Sequence, residues 1–150
     1  MHTPVLLKEA VEGLALNSGD KAIDCTFGDG GHTKEILKQV GKTGKVLALD
    51  VDAENIKKGI QKFSGDKNLV LVNDNFVHLK EIAARNKLTP VQGILMDLGW
   101  STTQFEESGR GFSFLKEEPL DMRLGESGIT AAQIINTYSE KDLEIGRAHV

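Results

Sequence analysis

Apolar positions along this chain alternate between two rhythms. Leu7, Val11 and Leu14 recur at helical spacing behind Thr3-Pro4, which reads as an N-cap followed by proline at the first helical position. A polar turn, Asn17-Ser18-Gly19-Asp20, separates this helix from KAIDCTF at 21–27, a short apolar run expected to be a strand. Ile36, Leu37 and Val40 then mark one face of a helix that stops near Gly41. The alternation repeats. Residues 46–49 (VLAL) predict a second strand ending at Asp50, and Asp52 is placed to cap a helix whose inner face is Ile56, Ile60 and Phe63. Residues 69–72 (LVLV) predict a third strand, and Asn75 a cap for a helix carrying Phe76, Leu79, Ile82 and Ala83. Thr89-Pro90 breaks the chain, and VQGILMDL at 91–98 predicts a fourth strand with Asp97 near its carboxyl end.

Buried-type strands alternating with amphipathic helices imply a parallel sheet covered on both faces. Right-handed crossovers make it an α/β, doubly wound, Rossmann-like arrangement. The rhythm fails over residues 99–128, which are expected to form a long structured loop, a kind of segment that is usually functional. Thr130 and Gln133 then read as a capping box leading into Ile134, Ile135 and Tyr138, and Ser139 as the cap of another short helix.

Composition adds exclusions. Of 150 residues, 39% are hydrophobic and 27% charged, the balance of a globular domain, and no apolar run approaches a bilayer's span. The start, MHTPVLLKEAVEGL, lacks a basic n-region and is not expected to be a signal peptide. A single cysteine, Cys25, forbids an internal disulfide, so the expected setting is the cytoplasm. Cys25 itself reads as a buried strand residue, since nothing nearby would activate it. The net charge of −4 argues against a protein that coats bare nucleic acid, but not against an enzyme that touches one nucleotide of a larger particle.

The chemistry concentrates at the carboxyl ends of the strands, where open α/β sheets bind ligands. Gly28, Gly30 and Gly31 follow the first strand, letting backbone approach a ligand and adopt positive φ, and the next helix N-terminus offers unpaired N–H groups to an anion. Asp50 ends the second strand, where a carboxylate can accept from both hydroxyls of a ribose. These features favour an adenosine-containing cofactor. The dinucleotide fingerprint G-x-G-x-x-G needs glycine at 33, where Thr33 stands, so NAD fits less well. S-adenosylmethionine has no pyrophosphate to seat, and Asp24 is placed to face its ammonium group. His32 taken alone reads as a capping or surface residue. Asp97 lies across the crevice, where a carboxylate can accept a hydrogen bond from an exocyclic amino group such as N4 of cytosine. Trp100 is equally open to stacking on a base and to packing under the loop. Arg110, Lys116 and Arg123 could meet phosphates, but they are interspersed with Glu106, Glu107, Glu117 and Glu118, which favours a solvated mixed-charge surface.

Seven segments, in order, carry a resemblance: HTPVLLKEAVEGL at 2–14, DCTFGDGGHT at 24–33, LALDVD at 47–52, DNF at 74–76, GILMDLGWSTTQ at 93–104, RGFSF at 110–114 and PLDMR at 119–123. Together they resemble the ribosomal RNA small-subunit methyltransferase H family, also known as MraW. The resemblance implies S-adenosylmethionine-dependent methylation of N4 of a cytidine in the decoding region of 16S rRNA in the small ribosomal subunit. It implies a class I methyltransferase fold with a helical domain inserted after the fourth strand. It carries cofactor contacts onto Gly30, Gly31, His32, Asp50, Phe76, Asp97 and Gln104, with Phe76 near the adenine and Gln104 reaching back from the loop.

On this pattern residues 1–108 are the first part of the methyltransferase domain and 109–143 the loop and start of the insert. Residues 144–150 do not continue the pattern and read as a foreign tail, and the family's later strands are absent, so an incomplete fragment is expected. Trp100 stands where the family commonly has a small aliphatic residue, and Thr102-Thr103 replaces a more usual Ser-Pro or Ser-Ala. Two rivals remain from the sequence: an NAD-dependent oxidoreductase on the same fold, and a non-catalytic module that binds a cofactor or partner.

Overall fold

The computed structural model describes residues 6–99, 109–125 and 127–144. Two compact units divide the chain, Met1–Gly99 and Trp100–Val150. Thr3, Pro4, Trp100, Thr102, Thr103 and Gln104 lie outside the described residues, as do 145–150.

The first unit runs α1 (Leu7–Gly13), β1 (Lys21–Asp24), α2 (Gly31–Val40), β2 (Lys45–Asp50), α3 (Ala53–Lys62), β3 (Leu69–Asn73), a single 3-10 turn (Phe76–His78), α4 (Leu79–Arg85) and β4 (Gly93–Leu95). All strand pairs are parallel and the order is β3-β2-β1-β4. Registers place Asp24 opposite Ala48 on one side and Leu95 on the other, and Asp50 opposite Asn73.

Strand alternation divides the core. Ile23, Cys25, Leu47 and Leu49 face α4, packing with Ile82, Ala83 and Leu88. On the opposite face Ala22 and Val46 pack with Val11 of α1 and with Ile36 and Val40 of α2. Ala48 joins Ile56, Phe63 and Phe27 beneath α3. Helices thus cover both faces, the doubly wound arrangement expected from the apolar rhythm. Cys25 is buried one residue past the end of β1, and burial pushes its thiol up to about 11, so it remains protonated at neutral pH.

Three expectations shift. The inner face of α3 is Ile56, Gly59 and Phe63, while Ile60 is 59% exposed. Gly59 explains the rotation: a Cβ there would stand 2.6 Å from the Phe27 ring, so the helix presents its bare glycine to that aromatic. β1 ends at Asp24 rather than at 27. The Asp24 carboxylate accepts from Thr26 N–H at 3.1 Å, and Phe27 N–H crosses to Leu49 O at 2.8 Å, so the chain leaves the ladder there. β4 is correspondingly short: among the described residues its one ladder partner is β1, which has ended.

In the second unit, residues 109–125, 127 and 128 hold no helix or strand, but they are tied down. Met122 N–H donates to Arg110 O at 2.8 Å, and Ala131 and Ala132 N–H donate to Asp121 O and Leu120 O, each at 2.9 Å. Arg110 donates to the carbonyls of Arg123 and Leu124, and Arg123 pairs with Asp121 at 2.7 Å. That pairing holds the Asp121 carboxyl down to about 2. Both arginines therefore brace the loop itself. The expected capping box opens α5 (Ala131–Thr137): Thr130 Oγ1 accepts from Gln133 N–H at 3.1 Å, and Gln133 Oε1 accepts from Thr130 N–H at 2.8 Å. Ser139 caps α6 (Glu140–Leu143). Among the described residues no helix is long and apolar enough to cross a membrane.

Candidate functional site

Parallel strands deliver their carboxyl ends to one edge of the sheet, and there Gly28 N–H donates to the Asp50 carboxylate and Asp97 N–H to Thr26 Oγ1. The turn from β1 to α2 has two glycines in the left-handed region, Gly28 at φ 51° and Gly30 at φ 75°. Their roles differ. A Cβ on Gly30 would stand 2.7 Å from Phe63 and 2.9 Å from Phe27, two rings that pack edge-on at 5.9 Å. A Cβ on Gly28 would meet nothing nearer than Thr26 O at 4.0 Å. Gly30 is glycine for packing, whereas at Gly28 the missing Cβ leaves open space in the cradle. Gly30→Ala is expected to cost about 3 kcal/mol or more, combining left-handed strain with overpacking, and Gly28→Ala about 1–2 kcal/mol, from strain alone. Urea unfolding of both variants measures the difference; equal costs would refute the division of roles.

Gly30 is also the N-cap residue of α2, and no side chain caps this helix. The amides of its first turn, beginning with Gly31 and His32, therefore point outward as donors with a favourable dipole for an anion. His32 is buried, at 4% exposure, and among the described residues its Nε2 has no hydrogen-bond partner. A buried unpaired ring nitrogen is costly unless something satisfies it. Its Nδ1 lies 3.8 Å from an Asp97 carboxylate oxygen.

Asp50 anchors the cradle. One carboxylate oxygen accepts from Gly28 N–H at 2.7 Å and Asn55 Nδ2 at 3.1 Å; the other accepts from Asp52 N–H at 2.8 Å. Burial pushes its carboxyl up, and these three bonds pull it back part of the way. Among the described residues these three donors leave about one of a carboxylate's roughly four lone-pair positions.

Asp24, the residue expected near an ammonium group, is tied into the interior. It is fully buried, with one oxygen accepting from Thr33 Oγ1 at 2.6 Å and the other from Thr26 N–H. Thr33, the residue that breaks the dinucleotide fingerprint, is itself fully buried and ties α2 to β1 through this bond. Desolvation raises Asp24's carboxyl above its ordinary 3.8, against the pull of Thr33 and Thr26. A raised carboxyl favours the fold when protonated. Relative to Asp24→Asn, the parent chain is therefore expected to be most stable below pH 3.8 and to lose that advantage as pH rises through the raised value. Urea midpoints across a pH series test this; an advantage that grows with pH would reverse the assignment.

Phe76 follows β3 in the 3-10 turn, which Asn75 caps by accepting from Val77 N–H at 3.0 Å. It is half-buried against the core beneath α4, in a turn rather than in the helix expected for it. Asp97 lies two residues past β4, with its side chain 58% exposed and its backbone N–H donated to Thr26 Oγ1 at 2.8 Å. Sequence reasoning had no signal for Thr26 or Asn55, because each acts through a partner distant in the chain or turned toward it by the fold.

Comparison with known proteins agrees with this architecture. A ribosomal RNA small subunit methyltransferase H from Clostridium botulinum is 40% identical over 143 residues, covering 95% of this chain and 46% of the relative. One from Acetivibrio thermocellus is 41% identical over 146 residues, covering 95% and 47%. The chain thus spans about half the length of the curated relatives it matches. Among solved structures, an rRNA methylase from Streptococcus thermophilus superposes with a TM-score of 0.53 at 25% identity, over 66% of this chain and 58% of that one. The fold is the Rossmann-like one shared with that rRNA methylase. Residues 1–145 match the MraW methylase family, and the chain belongs to it.

Proposed function

We propose that this chain forms the cofactor-binding part of an S-adenosylmethionine-dependent methyltransferase that modifies N4 of a cytidine in the decoding region of 16S rRNA. The observation that carries the cofactor is the uncapped start of α2 with the buried, unpaired Nε2 of His32 beside it. A cofactor carboxylate satisfies outward-pointing amides without needing the third glycine that a pyrophosphate loop uses. The donor set fits the rest of the molecule: open space at Gly28 and one free lone pair on Asp50 for a ribose hydroxyl. Phe76 offers a half-buried aromatic surface after β3 for the adenine, and Gln104 completes the set by family resemblance.

When bound, S-adenosylmethionine supplies an electrophilic methyl group on a sulfonium. The residues present have two tasks. Gly28, Gly31, His32 and Asp50 hold the donor in line, and alignment supplies much of the rate of a displacement. Asp97 accepts a hydrogen bond from the N4 amino group. That nitrogen is a poor nucleophile while its lone pair is drawn into the ring; a carboxylate that takes its proton as the N–C bond forms returns that density. The substrate is then a base in the small ribosomal subunit, and the compartment is the cytoplasm. The names of the relatives, ribosomal RNA small subunit methyltransferase H, support the substrate class.

Calorimetry with S-adenosylhomocysteine and with NAD is the direct test of the cofactor. Binding of the former alone is expected, and binding of NAD alone would sink the reading. For the reaction, full-length polypeptide is incubated with unmodified small subunits, and digested rRNA is examined for N4-methylcytidine. Methylation on carbon or on another base would leave the family standing and overturn the N4 assignment.

A further inference from the structure

Asp97 sits outside any regular element, yet the proposed reaction needs its carboxylate at a fixed place. β4 stops at Leu95, and Asp97 is the second residue beyond it. The last ladder bond between the two strands is Cys25 N–H to Leu95 O, at 2.9 Å. In a continued parallel ladder the Asp97 N–H would next find the Cys25 carbonyl, and Phe27 N–H would find the Asp97 carbonyl. Neither happens. Phe27 N–H crosses to Leu49 O on β2, and Asp97 N–H takes the side-chain oxygen of Thr26 at 2.8 Å. The hydroxyl stands where the ladder would have put a carbonyl.

Thr26 is itself held. Its N–H donates to Asp24, whose other carboxylate oxygen accepts from Thr33 on α2. Thr33 follows His32, whose Nδ1 faces the Asp97 carboxylate at 3.8 Å. One buried carboxylate thus fixes both the start of α2 and the residue that holds Asp97. We infer that Thr26 is the positioning residue for Asp97: its side-chain oxygen replaces the missing ladder rung and sets the acceptor carboxylate against the cofactor crevice. The inference rests on the reading of Asp97 as acceptor for the N4 proton.

The test is a double-mutant cycle on methyl transfer in the full-length polypeptide that carries these residues. Thr26→Val keeps the β-branch and removes the hydroxyl; Thr26→Ser keeps the hydroxyl. Thr26→Val is expected to lower kcat by about tenfold or more, with KM for S-adenosylmethionine little changed, because a displaced group costs rate before it costs binding. Thr26→Ser is expected to recover most of the rate. In an Asp97→Ala background, Thr26→Val is expected to have almost no further effect, since residues that act through one another are non-additive. If Asp97→Ala alone leaves the rate unchanged, the acceptor reading fails. If Asp97→Ala abolishes the rate while Thr26→Val does not lower it, or lowers it equally with Asp97 absent, only the positioning inference fails. Loss of rate in Thr26→Ser equal to that in Thr26→Val also overturns it. Should Thr26→Val not fold, amide exchange at Asp97 in Thr26→Ser decides: retained protection is required, and its loss refutes the bond.

Discussion

Asp97→Ala is expected to lower methyl transfer by about 10²- to 10⁴-fold, the range over which a positioned acid or base contributes. The fold should barely notice. The side chain is 58% exposed, and its hydrogen bond to Thr26 is made by backbone, which alanine keeps. Stability is therefore expected to change by no more than about 0.5 kcal/mol. The two measurements separate chemistry from structure: single-turnover rates on unmodified small subunits, and urea unfolding of the same preparations. Asp97→Asn sharpens the result. It preserves size and one acceptor oxygen but cannot take a proton, so it should resemble alanine in rate if proton acceptance matters, and the parent if only hydrogen bonding does. An unchanged rate in Asp97→Ala removes this carboxylate from the mechanism.

Asp50→Ala is expected to have the largest effect on the cofactor. Three donors, from Gly28, Asp52 and Asn55, converge on this carboxylate. Deleting it leaves all three without that acceptor, at about 1–3 kcal/mol for each one that stays buried and unpaired. The Gly28 turn loses its tie to β2, and the cradle loses the ribose acceptor proposed above. Affinity for S-adenosylhomocysteine is expected to fall by about 100-fold, equivalent to about 2.7 kcal/mol. Stability should fall by about 2–4 kcal/mol. Calorimetry and urea unfolding give the two numbers. Asp50→Asn is the control for charge: it retains one acceptor oxygen but turns an amide toward donors, so it should lie between. Retained affinity in Asp50→Ala would detach this residue from the cofactor.

The parallel alternation of strands and helices was legible because strands buried on both faces read as continuous apolar runs and helices as a 3.6 period, and both patterns are local. The caps at Asp52, Asn75, Thr130 and Ser139 were legible for the same reason: each satisfies an amide two or three residues away. Ile60 was misplaced because the face of α3 is set by Phe27, 33 positions earlier, pressing against Gly59. Gly28, Asp50 and Asp97 stood out as residue types at strand ends, where such a sheet binds ligands. Phe76 and Gln104 came only from the resemblance, since an aromatic in a turn and an amide in a loop carry no periodic signal.

The sequence by itself determined the strand–helix order, the glycine turn after β1, the acidic end of β2 and the kinship with a methylase family. Only tertiary structure decided what those residues do for one another. It made Gly30 a seat for two aromatic rings and Gly28 an opening. It closed Asp24 inside the protein, bonded to Thr33, and turned three donors onto Asp50. It set Thr26 under Asp97, 71 positions along the chain. The physical reason is the range of the forces. Backbone preference and amphipathic period act over a few residues and can be read in order along the chain. Packing against an aromatic ring and desolvating a carboxylate depend on which distant residues the sheet brings to the same edge.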